Sequence, residues 1–303
     1  MMKRVSDIDL RLLRIFVAVA EARGFAAAEA YLNVSTSTIS VHISNLEKRL
    51  GIRLCKRGRG GFKLTERGTV VYRETKKILK SLDDFTGVLA SAKSVLGGRL
   101  TIGIVDGLLT HPHFSISKVV RDFNASENDV EIELVVAPRR TLEHDVVNEQ
   151  IHAAIGPFIR NRSGLNFFSL FDESHGIYCG TGHPLFGADE DNLRAVDLAQ
   201  FPAVVRQYHH EFDRDTLGVV KEVARVDTME GMLALLLSGG YIGFLPDHYA
   251  KSWVKQGCLF QIGGNNADYV SKHAIVTKTG NRDSLALETF VDLLKAHAQS
   301  QAV

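Results

Sequence analysis

The 303-residue chain is 45% hydrophobic and 23% charged, which is enough apolar material for the cores of about two globular domains. No apolar run reaches the roughly 20 residues that a membrane span needs, and acidic residues follow the first four positions where a signal peptide would be apolar, so we expect a cytoplasmic protein. Charge is divided unevenly along the chain. Residues 1–98 hold 18 Lys and Arg against 9 Asp and Glu, whereas the remaining residues hold 18 Lys and Arg against 26 Asp and Glu. This division favours a polyanion-binding module followed by a different domain.

Three short helices are predicted over the first fifty residues. Apolar residues at positions 8, 12, 15, 16 and 19 form one helical stripe, and residues 25–32 are an alanine-rich helix. Ser35 is placed to cap a third helix that Gly51 ends. Short hydroxyl groups crowd its outward face, which suits entry into a DNA major groove about 12 Å wide better than an ordinary solvated face. The residues predicted to contact DNA are Thr36, Ser37, Ser40, Val41, His42, Ser44 and Lys48.

A basic β-hairpin is predicted after the third helix. Two short β-type runs flank the glycine-rich turn at residues 58–61. Eight basic residues and one acid lie between Lys48 and Arg67. Such a hairpin is expected to lie as a wing on the phosphate backbone, where it fixes position and makes affinity depend on salt. The predicted wing contacts are Lys56, Arg57 and Arg59.

A long helix with a heptad seam is predicted next. Its apolar positions follow 4-3-4-3-4 spacing, which is typical of a helix that pairs with a second copy, although a core-packed helix is the alternative. Pairing would place two reading helices on one duplex and match a dyad-symmetric operator. The predicted dimerisation residues are Val71, Ile78, Leu82, Phe85 and Leu89.

The acidic remainder alternates strands and helices. The strand at 100–105, the helix at 114–123, the strand at 130–136, the helix near 142–147 and the strand at 153–155 predict a parallel α/β unit. From about residue 171 the chain crosses into a second unit with strands at 202–205, 219–226 and 241–245 and a helix at 229–237. The strand at 274–276 and the helix at 285–297 return to the first unit. Two such lobes leave a ligand cleft at the carboxyl ends of their strands.

Residues 7–68 resemble the winged helix-turn-helix of LysR-type transcriptional regulators. The resemblance lies in residues 25–35, in the spaced Ser40, Ile43, Leu46 and Leu50-Gly51 of the third helix, and in Leu64-Thr65 with Gly68. The remainder is similar, more loosely, to the family's effector domain, through residues 182–185 and 239–246. The implied fold is an N-terminal all-α winged helix-turn-helix with a long linker helix, and then a C-terminal α/β two-lobed domain like periplasmic binding proteins.

This resemblance implies a domain plan and a ligand site. The DNA-binding domain would be residues 1–68, the linker helix and hinge 69–98, and the effector domain 99–303, with lobe 1 at about 99–170 and 271–303 and lobe 2 at about 171–270. By position, the residues lining the cleft would be Val105, Asp106, Gly107, Leu108, Arg139, Arg140, Phe158, Arg206 and Gln207. The resemblance also implies a homodimer or homotetramer that binds double-stranded DNA and a small-molecule effector.

The chemistry of the effector stays open between two readings. Arginines at strand ends favour a carboxylate or another anion, unless they are solvated loop residues. Asp106 instead suits an amine or hydroxyl group, or pairs with one of the arginines.

No metal, cofactor or catalytic site is expected. The cysteines at 55, 179 and 258 are scattered, and the histidine pairs at 111/113 and 209/210 lack a third ligand at suitable spacing. A ligand-responsive regulator is therefore the leading hypothesis. The alternatives are an architectural DNA-binding protein that ignores small molecules, and an enzyme carrying a DNA-binding head.

Overall fold

The computed structural model describes residues 6–56, 61–158, 163–207, 210–218, 224–262, 269–280 and 284–300. The chain divides into two compact units, Met1–Phe85 and Thr86–Val303. This boundary lies inside the long helix, within the linker helix and hinge predicted at residues 69–98. The reason is local, because a Cβ on Gly98 would lie 2.7 Å from the Cα of Gly87, so the last turns of the helix pack closely against the start of the second unit. No described helix is long and apolar enough to cross a bilayer.

The first unit is built from helices and one small hairpin. Its elements are α1 (Asp7–Glu21), α2 (Phe25–Leu32), α3 (Thr36–Leu50), β1 (Cys55–Lys56), β2 (Lys63–Leu64) and α4 (Glu66–Ala92). The predicted stripes are confirmed by Phe16, Val19, Ile39, Ile43 and Leu46, which are all fully buried in one core. Ile8 is the exception, because it lies in the first turn of α1 and is 64% exposed. The Ser35 side chain accepts a hydrogen bond from the Thr38 backbone, and Gly51 ends α3 in the left-handed conformation.

The hairpin lies directly against the start of α4. Strands β1 and β2 pair antiparallel, Cys55 with Leu64 and Lys56 with Lys63. A Cβ on Gly68 would lie 1.9 Å from the Leu54 carbonyl oxygen, so only glycine allows the helix to approach the hairpin this closely. This contact fixes the base of the hairpin on the first unit.

The second unit begins with the predicted α/β alternation. Its elements are β3 (Gly97–Ile104), α5 (Ile116–Asn124), β4 (Asp129–Val136), α6 (Arg139–Val147), β5 (Ala153–Gly156) and β6 (Leu165–Gly180). Strand β3 pairs parallel with both β4 and β5, as expected. The side chains of β3 are buried from Leu100 onward, which explains the uninterrupted apolar run in the sequence.

The rest of the second unit adds smaller elements and returns to the first sheet. These elements are α7 (Glu190–Ala195), β7 (Val204–Arg206), α8 (His210–Leu217), β8 (Ala224–Val226), α9 (Met229–Leu237), β9 (Ile242–Pro246), α10 (Asp247–Lys255), β10 (Leu259–Gln261), β11 (Tyr269–Lys278) and α11 (Leu285–Ser300). The main sheet has the order β10-β6-β11-β5-β3-β4, and β9 also pairs with β6. Strand β11 runs antiparallel to β5 and β6, so the sheet is mixed rather than wholly parallel.

Two long strands connect the halves of this unit. Strand β11 pairs along its whole length with residues 165–175 of β6, and the end of β6 pairs with β9 and β10. The register between β6 and β11 shifts between His273 and Ala274, opposite Phe171 and Ser169. Separate apolar cores lie on either side of this shift, one around Ile102 and Phe290 and another around Ile177 and Phe244.

Candidate nucleic-acid interface and ligand cleft

Helix α3 presents the face that was predicted to contact DNA. Ser37, Val41 and Lys48 are exposed, and Thr36, Ser40, His42 and Ser44 are partly exposed beside them. Val41, at 57% exposure, is an apolar side chain in the middle of a polar surface. Groups of this size project little from the helix, so the backbone of α3 can approach base edges closely.

Two of these hydroxyl residues also have partners inside the first unit. The backbone N–H and the hydroxyl of Thr36 both donate to the carboxylate of Glu29 in α2. The Ser37 hydroxyl lies 3.0 Å from the capping hydroxyl of Ser35. These bonds fix the first turn of α3 relative to α2, which is the arrangement that a helix-turn-helix requires.

An ion pair with a buried carboxylate, which the sequence did not suggest, anchors the other end of α3. The Arg49 guanidinium donates to the fully buried carboxylate of Asp9 in α1, with an Nη2–Oδ2 distance of 2.8 Å. The hydrogen bond from Arg49 holds the pKa of Asp9 well below its usual range. Glu47 accepts from the backbone N–H groups of Leu54 and Cys55, at 2.7 and 3.3 Å, and so ties the hairpin to α3.

The predicted wing is described only in part. Lys56 and Lys63 face each other across the hairpin and are both exposed. Arg57 and Arg59, which were predicted as phosphate contacts, lie outside the described residues. The described strands therefore present two lysine charges beside the end of α3.

The heptad seam of α4 divides into two parts. Val71 packs partly buried against the core of the first unit, so it serves that core rather than an open surface. The four later seam residues, Ile78, Leu82, Phe85 and Leu89, are 39–56% exposed. The alternative of a core-packed helix therefore holds for the beginning of the seam and fails for the remainder.

The second unit has a cleft where the sequence placed one. Four of the nine predicted residues line it, namely Val105, Asp106, Arg139 and Arg206. Leu108 and Phe158 are instead buried in the hydrophobic cores, because both point away from the cleft into apolar surroundings. Arg140 and Gln207 are exposed, and Gly107 lies beside the side chain of Met229.

Arg206 has its charge compensated within the protein. Its side chain is 1% exposed and donates from Nε and Nη2 to the carboxylate of Asp213, with 3.0 Å between Nε and Oδ2. The rings of Phe244 and Tyr269 lie 5.3 and 4.9 Å from its guanidinium carbon, and the Tyr269 hydroxyl accepts a further hydrogen bond. Arg206 therefore builds the wall of the cleft and is a poor candidate for holding an anionic ligand.

Arg139 differs from Arg206 in this respect. It is 9% exposed, and its Nη1 donates to the carbonyl oxygen of Pro157 at 3.3 Å. Within the described part of the chain, its buried Nε has no hydrogen-bond partner. A buried guanidinium N–H without an acceptor is costly, so this group suits a carboxylate or another acceptor arriving from the cleft.

Asp106 reaches across the cleft to the start of α9. Its carboxylate accepts a hydrogen bond from the backbone N–H of Met229, where the helix dipole favours negative charge. Burial raises the pKa of Asp106, although the backbone donors at Met229 and Glu230 oppose that rise. Among the described contacts, Asp106 is bonded to the backbone N–H of Met229 and not to one of the predicted arginines.

A cluster of buried titratable side chains, which the sequence did not suggest, also lines the cleft. Glu173 of β6 is 5% exposed, and the imidazoles of His175, His248 and His273 approach its carboxylate. Burial opposes ionisation of Glu173, but the hydrogen bond from His248 and the neighbouring imidazoles outweigh it and lower the pKa. Among the described residues, no group of three or more His, Cys, Asp or Glu is arranged to hold a metal ion.

Comparison with known proteins identifies both units. The profile described as "Bacterial regulatory helix-turn-helix protein, lysR family" matches residues 10–69, and "LysR substrate binding domain" matches residues 93–299. The HTH-type transcriptional activator BauR of Pseudomonas aeruginosa is 37% identical over 298 residues, covering 95% of each chain. The SDS degradation transcriptional activation protein of a Pseudomonas species is 25% identical over 298 residues, 94% of this chain and 95% of that one.

Solved structures share the same fold. Full-length CbnR complexed with its target DNA superposes with a TM-score of 0.67 at 19% identity, over 96% of this chain and 99% of that chain. The two family profiles together span nearly the whole sequence, and the relative at 37% identity is a transcriptional activator. The chain therefore belongs to the LysR family of transcriptional regulators and carries that family's DNA-binding and effector-binding domains.

Proposed function

We propose that this regulator binds a dyad-symmetric operator as a homodimer and activates transcription in the cytoplasm in response to a small metabolite. In this proposal, α3 enters the major groove and the basic hairpin lies on the flanking phosphates. The observation that carries it is the exposed face of α3, whose small hydroxyl side chains stand beside Lys48 and the lysines of the hairpin. A polar, basic and narrow surface of this kind matches what DNA presents.

The proposed dimer uses the exposed part of α4. Ile78, Leu82, Phe85 and Leu89 recur at heptad spacing and are exposed in the single chain. A second copy of the same helix is the simplest partner for a self-complementary apolar seam. We further propose that the effector binds in the cleft of the second unit, with an acidic group of the effector on Arg139, and that the protein catalyses no reaction.

Binding of the full-length protein to labelled genomic fragments, measured by fluorescence anisotropy over a range of salt concentrations, tests the DNA contacts. The double substitution Lys56→Ala/Arg57→Ala should weaken binding and lower the salt slope by about one for each phosphate contact removed. Lys251→Ala, which removes an exposed lysine from α10, is the matched control and should change neither quantity. An unchanged slope in the double variant would mean that the hairpin does not touch DNA.

A further inference from the structure

The carboxylate of Glu173 is buried at the centre of the cleft wall, and its two oxygens have different surroundings. Oε1 lies 2.8 Å from Nε2 of His248, whose Nδ1 lies 2.8 Å from the hydroxyl of Thr110. The Thr110 hydroxyl can donate to that ring and the ring can donate to Glu173, so Oε1 belongs to a complete chain of hydrogen bonds. The other oxygen, Oε2, faces the rings of His175 and His273.

These two rings turn their Nε2 atoms toward Oε2. Nε2 of His175 lies 3.3 Å from Oε2, and Nε2 of His273 lies 3.7 Å from it. On the opposite side of each ring, Nδ1 lies beside a backbone carbonyl oxygen, that of Glu173 at 3.3 Å for His175 and that of Ser271 at 3.4 Å for His273. A carbonyl oxygen only accepts, so Nδ1 has a partner in the tautomer that carries the proton there, whereas a proton on Nε2 would instead face Oε2.

With Nδ1 protonated, a neutral ring keeps a lone pair on Nε2. Burial lowers the pKa of His175 to about 3 and also lowers the pKa of His273, so both rings are neutral at physiological pH. In that tautomer three acceptors are neighbours, namely Oε2 of the ionised carboxylate and the two Nε2 lone pairs. Three acceptors without a donor or cation among them repel one another, and a buried carboxylate is costly without a compensating charge.

A primary ammonium group supplies what this arrangement lacks. It has three N–H donors and one positive charge, which match the three neighbouring acceptors and the one ionised carboxylate. Glu173, His175 and His273 line the same cleft as Arg139, whose buried Nε has no acceptor among the described residues. The cleft thus offers a cation subsite on the connecting strands β6 and β11, and an anion subsite at the start of α6.

The geometry points to a small aminocarboxylate as the effector, with its ammonium group bound by Glu173, His175 and His273 and its carboxylate bound by Arg139. This assignment rests on the proposed function of the cleft as the effector site. It combines the anion favoured by the arginines with the amine favoured by Asp106, although Glu173 and not Asp106 binds the ammonium group. A quaternary ammonium group, which has no N–H donor, would not satisfy the two imidazole lone pairs.

The test uses the full-length protein and a series of unbranched aminocarboxylates whose amine and carboxylate are separated by one to five carbons. Each compound is matched with the carboxylate that lacks the amine, the amine that lacks the carboxylate, and the trimethylammonium analogue. Calorimetry should show one or two adjacent chain lengths binding at least about tenfold more tightly than all three of their matched compounds. This comparison needs no protein variant, so it holds even where a substitution impairs folding.

Two variants that each remove one charge then assign the ends of the ligand. Glu173→Gln should lose at least about tenfold in affinity for the aminocarboxylate but not for the plain carboxylate, and Arg139→Gln should weaken both compounds. His144→Gln, an exposed histidine of α6, is the control and should bind as the unsubstituted protein does.

Several results would overturn the assignment. A plain carboxylate that binds as tightly as its aminated partner removes the ammonium subsite but leaves the proposed cleft standing. Stabilisation by Zn²⁺ alone, reversed by a chelator, would make the imidazoles a metal site instead. Failure of every compound to bind the protein or alter its binding to DNA would remove the proposed effector function together with this assignment.

Discussion

Individual buried histidines make the stability of the second unit depend on pH. Burial lowers the pKa of His175 to about 3 and that of His111 to about 4. In the unfolded chain these rings take up a proton near pH 6.5, whereas the folded protein holds them neutral until the pH falls much further. The unfolded state therefore binds more protons over that interval, and folding stability decreases as the pH falls from about 6.5 toward 3.

We expect the free energy of unfolding of the second unit to fall by about 2 kcal/mol between pH 8 and pH 5 from His175 alone. Urea unfolding followed by the fluorescence of Trp253, the single tryptophan of the chain, measures this quantity. His175→Asn should reduce the dependence on pH, whereas His144→Asn, whose side chain is 66% exposed, should preserve it. Equal pH profiles for His175→Asn and the unsubstituted protein would contradict the assignment.

The residues of the cleft differ in how far the sequence could reveal them. Asp106 and Arg139 follow strands β3 and β4 directly, so the rule that ligands bind at strand ends located them. Glu173 and His273 are a hundred positions apart and meet only because β6 and β11 pair antiparallel. Glu173 and His175 are two apart and share one face of β6, as Ser271 and His273 share one face of β11. The residues next to them, such as Asp172, Ser174 and Lys272, are also polar, so no alternation of polar and apolar residues marked the buried face.

Arg206 is a residue whose position in the cleft was predicted correctly but whose role was not. Its position at the end of β7 suggested an anion site, but its partner Asp213 lies seven residues ahead in α8, a helix that the sequence did not predict. A charge can be assigned to a ligand only when the neighbouring charges of the fold are known. Side-chain pairing of this kind depends on tertiary contacts, which local patterns do not encode.

Among the elements, those with strong periodicity and clear end signals were predicted well. Helices α2 and α9 and strand β5 begin and end at, or within one residue of, the predicted positions. Helices α7 and α8 were missed, because they are short and polar and are held by packing against the second unit rather than by an apolar stripe. The hairpin was recognised from its glycine turn, although its two strands are only two residues long.

The exposed seam of α4 carries a prediction at this scale. Leu82→Asp would place a charge in the proposed helix pair, where it has no partner, and should raise the dissociation constant of the dimer by about a hundredfold or more. Ser81→Asp introduces the same charge at the neighbouring, exposed position outside the seam and should leave the dimer intact. Sedimentation velocity over a concentration series distinguishes the two, and a stable Leu82→Asp dimer would place the interface elsewhere.

For the whole molecule, the uneven distribution of charge anticipated two units of different function. The compact units divide within α4, between residues 85 and 86, which is inside the linker segment predicted at residues 69–98. The distribution of charge along the chain indicates what each unit binds. The boundary between the units depends instead on the close approach of Gly98 to Gly87.

A ligand-responsive regulator must show reciprocal coupling between its two ligands. If an aminocarboxylate changes the operator dissociation constant by some factor, the operator must change the dissociation constant of the aminocarboxylate by the same factor, commonly about 5- to 150-fold. Anisotropy with saturating ligand, and calorimetry with saturating operator, give the two factors independently. A compound that binds the cleft while both factors equal one would favour the architectural alternative.

The register shift between β6 and β11 has a mechanical consequence. Where one strand has an additional residue, the regular ladder is interrupted and the ribbon bends more easily than elsewhere. This interruption lies between His273 and Ala274, immediately beside the ring that faces Glu173. A ligand bound beside Glu173 would contact the two strands where their pairing is interrupted. A small displacement of β6 and β11 at this point would be enough to tilt one apolar core against the other.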